Sequence, residues 1–103
     1  MSINTSNVST TVASVYTSSG NTAITFLSLC NFNSGTCTAN VYAVPSGGTA
    51  GNTNIVLANL ELTGFETYQL YAGGEKLLLN NGDFVSVIAN ANTVTTVTSF
   101  TTI

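Results

Sequence analysis

The sequence predicts an all-β fold, a single antiparallel β-sandwich that is jelly-roll-like and has about eight strands. No window of the chain places apolar residues at helical spacing, whereas the strand formers Val, Ile, Thr, Tyr and Phe occur throughout. Clusters of Gly, Asn and Ser interrupt the chain about every 8–12 residues, a spacing typical of short strands joined by turns. A chain of 103 residues is long enough for one such domain.

The chain begins with a polar segment that is interpreted as an arm. We assign residues 1–7 to an N-terminal arm and residues 8–103 to the sandwich domain. The arm has no basic end and no apolar run, so no secretory signal is predicted. The first strand is predicted over residues 8–16, where the apolar positions are Val8, Val12 and Val15.

The next two strands are predicted to form a hairpin. Residues 23–31 are apolar on both faces, which is typical of a strand in the centre of a sheet. A turn over residues 32–35 leads into a strand over residues 36–44, and this succession predicts a meander. Pro45 ends the third strand, because proline has no N–H to donate to a neighbouring strand.

A long polar loop follows Pro45 over residues 46–54. It contains three glycines and is the most exposed and mobile segment that the sequence predicts. Loops of this kind often carry binding contacts. The alternative is that it is a plain connection between strands.

Five further strands are predicted in the second half of the chain. Gly64, the Ala72-Gly73-Gly74 segment and the Asn80-Asn81-Gly82-Asp83 turn separate them. The predicted strands cover residues 55–62, 66–71, 76–79, 84–89 and 93–103.

Charged residues are scarce. Threonine, serine and asparagine, at 18, 11 and 13 residues, must cover most of the surface. Such a surface suits a domain that packs beside copies of itself or against a large partner. It does not favour nucleic acid or an anionic membrane, both of which need clustered Lys and Arg. The chain contains only five charged residues, Glu61, Glu66, Glu75, Lys76 and Asp83.

Two cysteines flank the turn of the predicted hairpin. Cys30 and Cys37 can face each other across the hairpin and form a disulfide, or they can remain reduced as small buried side chains. The absence of an export signal favours reduced thiols. Two cysteines without a histidine cannot complete a tetrahedral zinc site within this chain, so no metal and no cofactor is predicted.

The composition gives little support to catalysis. Ser and Thr are abundant, but the chain has no His that could act as their base. Glu61 and Glu66 are the carboxylates that a small glycan hydrolase would use, and solvated strand ends are the simpler interpretation. Asp83 is expected to bond backbone amides in its turn. The protein is therefore predicted not to be an enzyme.

The tyrosines offer one further hypothesis, because their rings can stack on sugars. Packing with the hydroxyl at the rim of the sandwich is the more ordinary role for them. The tyrosines are Tyr16, Tyr42, Tyr68 and Tyr71.

A succession of short motifs resembles a family of virion proteins. The motifs are Tyr16-Thr17 with Gly20, Thr22-Ala23-Ile24, Leu29-Cys30-Asn31, Val41-Tyr42-Ala43-Val44, Leu60-Glu61-Leu62, Lys76-Leu77-Leu78-Leu79-Asn80-Asn81-Gly82-Asp83 and the terminal Ile103. Together they resemble the small β-sandwich structural, decoration or fibre-associated proteins of tailed bacteriophages, especially cyanophages and other marine phages. The chain departs from that pattern at Ser18-Ser19, where a proline usually precedes Gly20. The resemblance implies a non-enzymatic part of a particle.

Composition and resemblance together predict a bacteriophage virion structural protein, most specifically a capsid decoration or cement protein. Its expected partner is the major capsid protein or another virion protein, and the expected state is a homo-oligomer, a trimer, in a virion assembled in the host cytoplasm. The alternative is a receptor- or glycan-binding module of a tail or fibre. The residues expected to make contacts lie in the arm and the long loop: Ile3, Val8, Gly47, Gly48, Asn52 and Asn54.

Overall fold

A computed structural model of the protein describes residues 2–70 and 76–103. The described residues contain no helix and form nine β-strands. The strands are β1 (Ser2–Val8), β2 (Ala13–Thr17), β3 (Thr22–Asn31), β4 (Cys37–Val44), β5 (Ile55–Leu62), β6 (Thr67–Leu70), β7 (Leu77–Leu79), β8 (Phe84–Ala89) and β9 (Val94–Thr102).

The strands form two antiparallel sheets, which confirms the predicted all-β sandwich. Sheet A has the order β1-β9-β3-β6, with β7 also paired to β3, and sheet B has the order β2-β8-β4-β5. The pairs β1·β9, β2·β8, β3·β6/β7 and β4·β5 follow one another from the chain ends inward. The chain is thus a long antiparallel hairpin rolled into two layers, the topology of a jelly roll.

The core lies between the two sheets and consists of short branched side chains. Among residues 2–70 and 76–103, one pair of aromatic rings packs together, Tyr16 and Phe100, with ring centroids 4.5 Å apart. The alternation of side chains along each strand places the apolar set on the inner faces. The largest fully buried side chains of this core are Ile24, Leu27, Leu29, Leu62, Val8, Val41, Val44, Val85, Val87 and Val94.

The start of the chain differs from the expectation. Residues 2–7, expected to be an arm, belong to β1, which pairs with β9 from Ser2↔Phe100 to Val8↔Val94. The strand predicted over residues 8–16 is divided, because residues 9–12 cross from sheet A to sheet B. The polarity of the segment hid the strand: β1 is an edge strand with alternate side chains in solvent, and it needs few apolar residues.

The predicted hairpin of the second and third strands is wrong. β3 lies in sheet A and β4 in sheet B, so the turn between them connects the two layers. The central position of β3 is confirmed, since it pairs with β9 and also with β6 and β7. Both cysteines are free, Cys37 buried in the core and Cys30 half-buried on β3, in agreement with the favoured reduced thiols.

The second half of the chain follows the prediction closely. β4 ends at Val44, immediately before Pro45, as expected for a residue that lacks an N–H. The predicted strands over residues 55–62 and 84–89 are present with the predicted bounds. The end of the strand predicted at Tyr71 and the turn predicted at Ala72-Gly73-Gly74 lie outside the described residues. Within the described residues, no helix has the length and apolar character needed to span a membrane.

Candidate functional site

A buried asparagine organises one end of the sandwich. Asn31 ends β3 and has no exposed surface. Its Nδ2 donates to carbonyl oxygens on either side of the core, those of Gly35, Leu62 and Thr63, at 2.7, 3.2 and 3.1 Å. Its Oδ1 accepts from the Asn33 N–H and the Thr93 hydroxyl at 3.2 and 3.1 Å. A buried amide with all its groups bonded fixes its surroundings, because any lost partner would leave a polar atom unsatisfied.

Backbone hydrogen bonds hold the same loops side by side. The Asn31 N–H donates to the Glu66 carbonyl and the Phe32 N–H donates to the Thr93 carbonyl, each at 2.9 Å. The Phe65 N–H donates to the Asn33 carbonyl at 3.0 Å. The turns after β3 and β5 therefore form a single braced surface at this end of the molecule.

Two phenylalanines project from that surface. Phe32 is 50% exposed and Phe65 is 70% exposed, although both are large apolar side chains. We call Phe32 and Phe65 the aromatic end. Large exposed apolar side chains on neighbouring turns often mark an interaction surface.

The backbone at Phe65 makes this exposure more informative. Phe65 has φ of 61°, a left-handed conformation that is uncommon for a bulky side chain. It occupies the third position of a turn over residues 63–66, closed by the Glu66 N–H donating to the Thr63 carbonyl at 3.0 Å. Gly or Asn usually fills a left-handed turn position. This backbone conformation costs about 1–3 kcal/mol of folding free energy, and the exposed ring does not compensate for that cost by burial. The side chain of Phe65 is therefore expected to serve binding and not the stability of the fold.

The glycine of this turn stands one position earlier for a packing reason. A Cβ on Gly64 would lie 2.3 Å from the carbonyl oxygen of Ser34. Gly64 is therefore required for the two turns to approach each other, and it does not relieve the conformation of Phe65.

The two glutamates considered for catalysis have different surroundings. One oxygen of the Glu66 carboxylate accepts from the Thr63 N–H at 2.8 Å and from the Thr63 hydroxyl at 3.2 Å. Glu66 therefore supports the turn that carries Phe65. Glu61 is exposed on β5, opposite Thr38 in the strand register.

Asp83 has the predicted turn role. Its carboxylate accepts from the Asn80 N–H at 2.9 Å and from the Ser46 N–H at 2.8 Å. The second bond fixes the start of the long loop to the turn before β8, a contact between distant segments that the sequence does not reveal.

The predicted contact residues of the first strand have opposite environments. Ile3 is 69% exposed on the edge strand β1. Val8 is 2% exposed and belongs to the core, so its assignment to a contact surface is wrong. The reason is that Val8 is the last residue of β1 and pairs with Val94, which places its side chain between the sheets.

The predicted contact loop, residues 46–54, is exposed but internally bonded. Gly47 has φ of 81°, and the Gly48 N–H donates to the Pro45 carbonyl at 2.9 Å. Asn54 holds the loop together, since its Oδ1 accepts from the Gly51 N–H and its Nδ2 donates to the Thr49 carbonyl. Asn52 is exposed. This loop lies at the opposite end of the sandwich from the aromatic end.

The aromatic end was not predicted from the sequence. Each phenylalanine stands among turn residues, Phe32 in Asn-Phe-Asn-Ser-Gly and Phe65 in Thr-Gly-Phe-Glu. A large apolar residue inside a turn motif is the one signal that singles them out. Their proximity depends on the pairing of distant loops, which has no local signature.

A second feature is a polar cleft on the outer face of sheet B, near the same end. Its volume is about 370 Å³, within the range of small-molecule sites. The lining combines amide and hydroxyl side chains with a small apolar floor, from Thr10, Thr38, Ala39, Asn40, Asn59, Ile88, Ala89 and Asn90. We call this the amide cleft.

No metal cluster stands out in the part of the chain that the structure describes, where no three His, Cys, Asp or Glu side chains come together. Burial raises the pKa of the Cys37 thiol, and a hydrogen bond with Thr93 opposes this in part. Cys37 is therefore held as a neutral thiol in the core.

In comparisons with known proteins, no family model, curated protein or solved structure matches this chain. The resemblance to phage virion proteins stays a prediction.

Proposed function

We propose that this protein is a non-enzymatic structural protein of a bacteriophage virion, most specifically a capsid decoration or cement protein that stabilises the head at junctions between capsid subunits. The observation that carries the proposal is the aromatic end, where Phe65 is exposed at a left-handed backbone position. The phage context comes from the sequence resemblance.

The aromatic end has the character of an interface anchor. Burying a Phe side chain that was exposed contributes about 1.5–3 kcal/mol. Aromatic residues are enriched at the centres of protein interfaces. The loops that carry Phe32 and Phe65 are braced by Asn31, so little further ordering is needed when a partner covers them.

The uncharged surface suits docking on a large partner. Charged residues are depleted at interface cores, and this chain has only five charged residues to desolvate. Its Thr, Ser and Asn side chains supply hydrogen-bond donors and acceptors for a partner's backbone and side chains.

Self-association belongs to the same proposal. The edge strand β1 carries no charged residue, although natural edge strands usually carry charge that discourages pairing. A partner or a second copy would cover this edge. Closed symmetry is the rule for homo-oligomers, and we propose a trimer on a virion assembled in the host cytoplasm.

Replacement of Phe65 by Asn is expected to weaken capsid binding without unfolding the protein. Asparagine tolerates the left-handed conformation, so the fold is expected to keep its unfolding free energy to within about 1 kcal/mol. Co-sedimentation with capsids that lack this protein is expected to show a dissociation constant that is weaker by about tenfold or more, because the anchor is gone.

Leu78→Asn is the matched control, since Leu78 is another large apolar side chain, 65% exposed, near the opposite end of the sandwich. It is expected to bind capsids like the unmodified protein. Equal capsid binding by Phe65→Asn and the unmodified protein would show that the aromatic end is not the docking site. A lack of capsid binding by the unmodified protein itself would reject the decoration role.

The amide cleft favours a second candidate, a receptor- or glycan-binding module of a tail or fibre. Localisation by electron microscopy on the head or on the tail separates this candidate from the first.

A further inference from the structure

The amide cleft is shaped by an irregularity in β5. The register between β4 and β5 shifts between Ala39 and Val41, and Asn59 adopts φ of 53° at this shift. The Asn59 N–H donates to Oδ1 of Asn40 at 2.7 Å. Bulges of this kind re-aim side chains and are over-represented next to functional sites.

Two asparagines of the cleft have fixed amide orientations. Oδ1 of Asn90 accepts from the Thr38 backbone N–H at 3.0 Å, so its Nδ2 keeps both hydrogens for other partners. Asn40 accepts from the Asn59 N–H with Oδ1 and donates from Nδ2 to the Tyr42 hydroxyl at 3.3 Å. A backbone N–H donor requires an oxygen opposite it, which determines which side of each amide is which.

Asn59 is the cleft amide that is left open. Within residues 2–70 and 76–103, its side chain has no hydrogen-bond partner, so both its donors and its acceptor are available. The hydroxyls of Thr10 and Thr38 add groups that can donate or accept. The cleft thus presents several neutral donors and acceptors from four different chain segments.

The chemistry of the lining selects a class of ligand. Among the described residues, none that lines the cleft is charged, so no side chain of the lining attracts an ion by its charge. Glu61, the cross-strand partner of Thr38, is exposed beside the cleft and disfavours an anion. A neutral ligand with many hydroxyl groups matches the amides and the threonine hydroxyls, and its C–H groups match the partly exposed side chain of Ile88. We infer that the amide cleft binds a neutral saccharide through Asn59 and Asn90.

This inference goes beyond the assembly role and gives the second candidate its ligand. It can fail without affecting capsid docking, because the cleft and the aromatic end share no residue.

The test uses the full chain and defined probes. Neutral oligosaccharides of glucose, galactose, mannose and N-acetylglucosamine are titrated to about 20 mM into isotopically labelled protein, a range suited to millimolar affinity. At least one of them is expected to shift the side-chain amide resonances of Asn59 and Asn90 in a saturable manner. Failure of every probe to do so overturns the inference.

The discriminating variant is Asn59→Gly. Glycine adopts positive φ without cost, so this change removes the amide and keeps the bulge. The saccharide dissociation constant is expected to weaken by about tenfold, the size expected for the loss of one or two hydrogen bonds. Asn21→Gly is the matched control, because Asn21 is an exposed amide at the opposite end of the sandwich.

The outcomes are distinct. Weakened binding in Asn59→Gly with unchanged binding in Asn21→Gly supports the site. Equal binding in both variants and the unmodified protein overturns it, as does a set of shifts confined to residues outside the cleft. Thermal unfolding of each variant shows that the fold is retained.

Discussion

Thr98 lies on the core side of β9 with no exposed surface, and its hydroxyl has no hydrogen-bond partner among the described residues. Thr96, two residues earlier on the same face, is equally buried, but its hydroxyl donates to the Ser6 carbonyl at 3.4 Å. A buried hydroxyl without a partner costs the free energy of removing it from water. A comparison of the two threonines therefore separates the free-energy cost of burying a hydroxyl from the free energy gained when that hydroxyl forms a hydrogen bond.

Replacement of Thr98 by Val is expected to stabilise the protein. The substitution exchanges the unsatisfied hydroxyl for a methyl group of similar shape, and we expect the unfolding free energy to rise by about 1 kcal/mol. For a domain of this size that corresponds to an increase of about 4–8 °C in melting temperature. Thr96→Val serves as the control and is expected to show no gain, since it removes a bonded hydroxyl. A melting temperature of Thr98→Val at or below that of the unmodified protein would contradict the assignment.

The two cysteines are expected to differ in reactivity and in their effect on stability. Cys37 is 1% exposed and should resist alkylation until the protein unfolds, whereas the half-buried Cys30 should react first. Burial raises the pKa of Cys37 in the folded state, so the unfolded thiol ionises first as the pH rises. Its stabilising contribution is therefore complete below the ordinary thiol pKa and is lost as the pH rises above about 9.

The measurement is urea unfolding between about pH 7 and pH 10 for Cys37→Ala and Cys30→Ala, since both substitutions leave the tyrosines and Lys76 in place. Cys30→Ala should retain the alkaline loss of stability due to Cys37, and Cys37→Ala should show a smaller one. Identical pH dependence in the two variants would count against the effect of burial.

Among the strands, β1 differs most from its prediction, since residues 1–7 were expected to be an arm. It pairs with β9 over all seven of its residues, and the Asn4 side chain donates to the carbonyl oxygen of Val15 on β2. It therefore closes one side of the sandwich and cannot be treated as an arm that is separate from the domain.

Removal of residues 1–7 is accordingly expected to destabilise the sandwich. The deletion takes most of the β1·β9 pairing away, and we expect a loss of about 3 kcal/mol or more in unfolding free energy. Ile3→Thr, which changes an exposed side chain and keeps the strand, should stay within about 0.5 kcal/mol. An unchanged urea midpoint for the deletion would restore the interpretation as an arm. Lost capsid binding by the truncated protein would not identify a contact unless the fold is first shown to be intact.

The turns at the aromatic end form a second element with a joint role. Asn31 and Glu66 are polar residues that act on the backbone of neighbouring turns, and Gly64 allows those turns to approach. Each of the three has an ordinary local interpretation. Together they hold the turn in which Phe65 has its left-handed conformation.

In the whole molecule the strand pairing is nested, with the first and last strands, β1 and β9, paired to each other and the middle strands, β4 and β5, likewise paired. This arrangement brings β1 to β9, and it places most contacts between residues far apart in the sequence. Folding of such a topology is expected to be slow relative to helical proteins of the same length. The surface that results is uncharged on β1 and holds two features at one end, the aromatic end and the amide cleft.

Some properties of this protein are present in the sequence. The β-forming residues and regularly spaced turn clusters predicted the fold class, and the two apolar faces of β3 predicted its central position. Pro45 predicted the end of β4, and the Asn-Gly-Asp turn predicted the role of Asp83. Each of these patterns can be recognised from residues close together in the sequence. The scarcity of charge likewise follows from composition.

Other properties depended on the tertiary structure. The assignment of β3 and β4 to different sheets, the pairing of the polar β1, the burial of Val8 and the joining of the turns that carry Phe32 and Phe65 all require contacts between distant segments. A polar edge strand and an arm have the same local pattern, as do a hairpin turn and a turn between layers. Only the burial of a common core by both sheets selects between them.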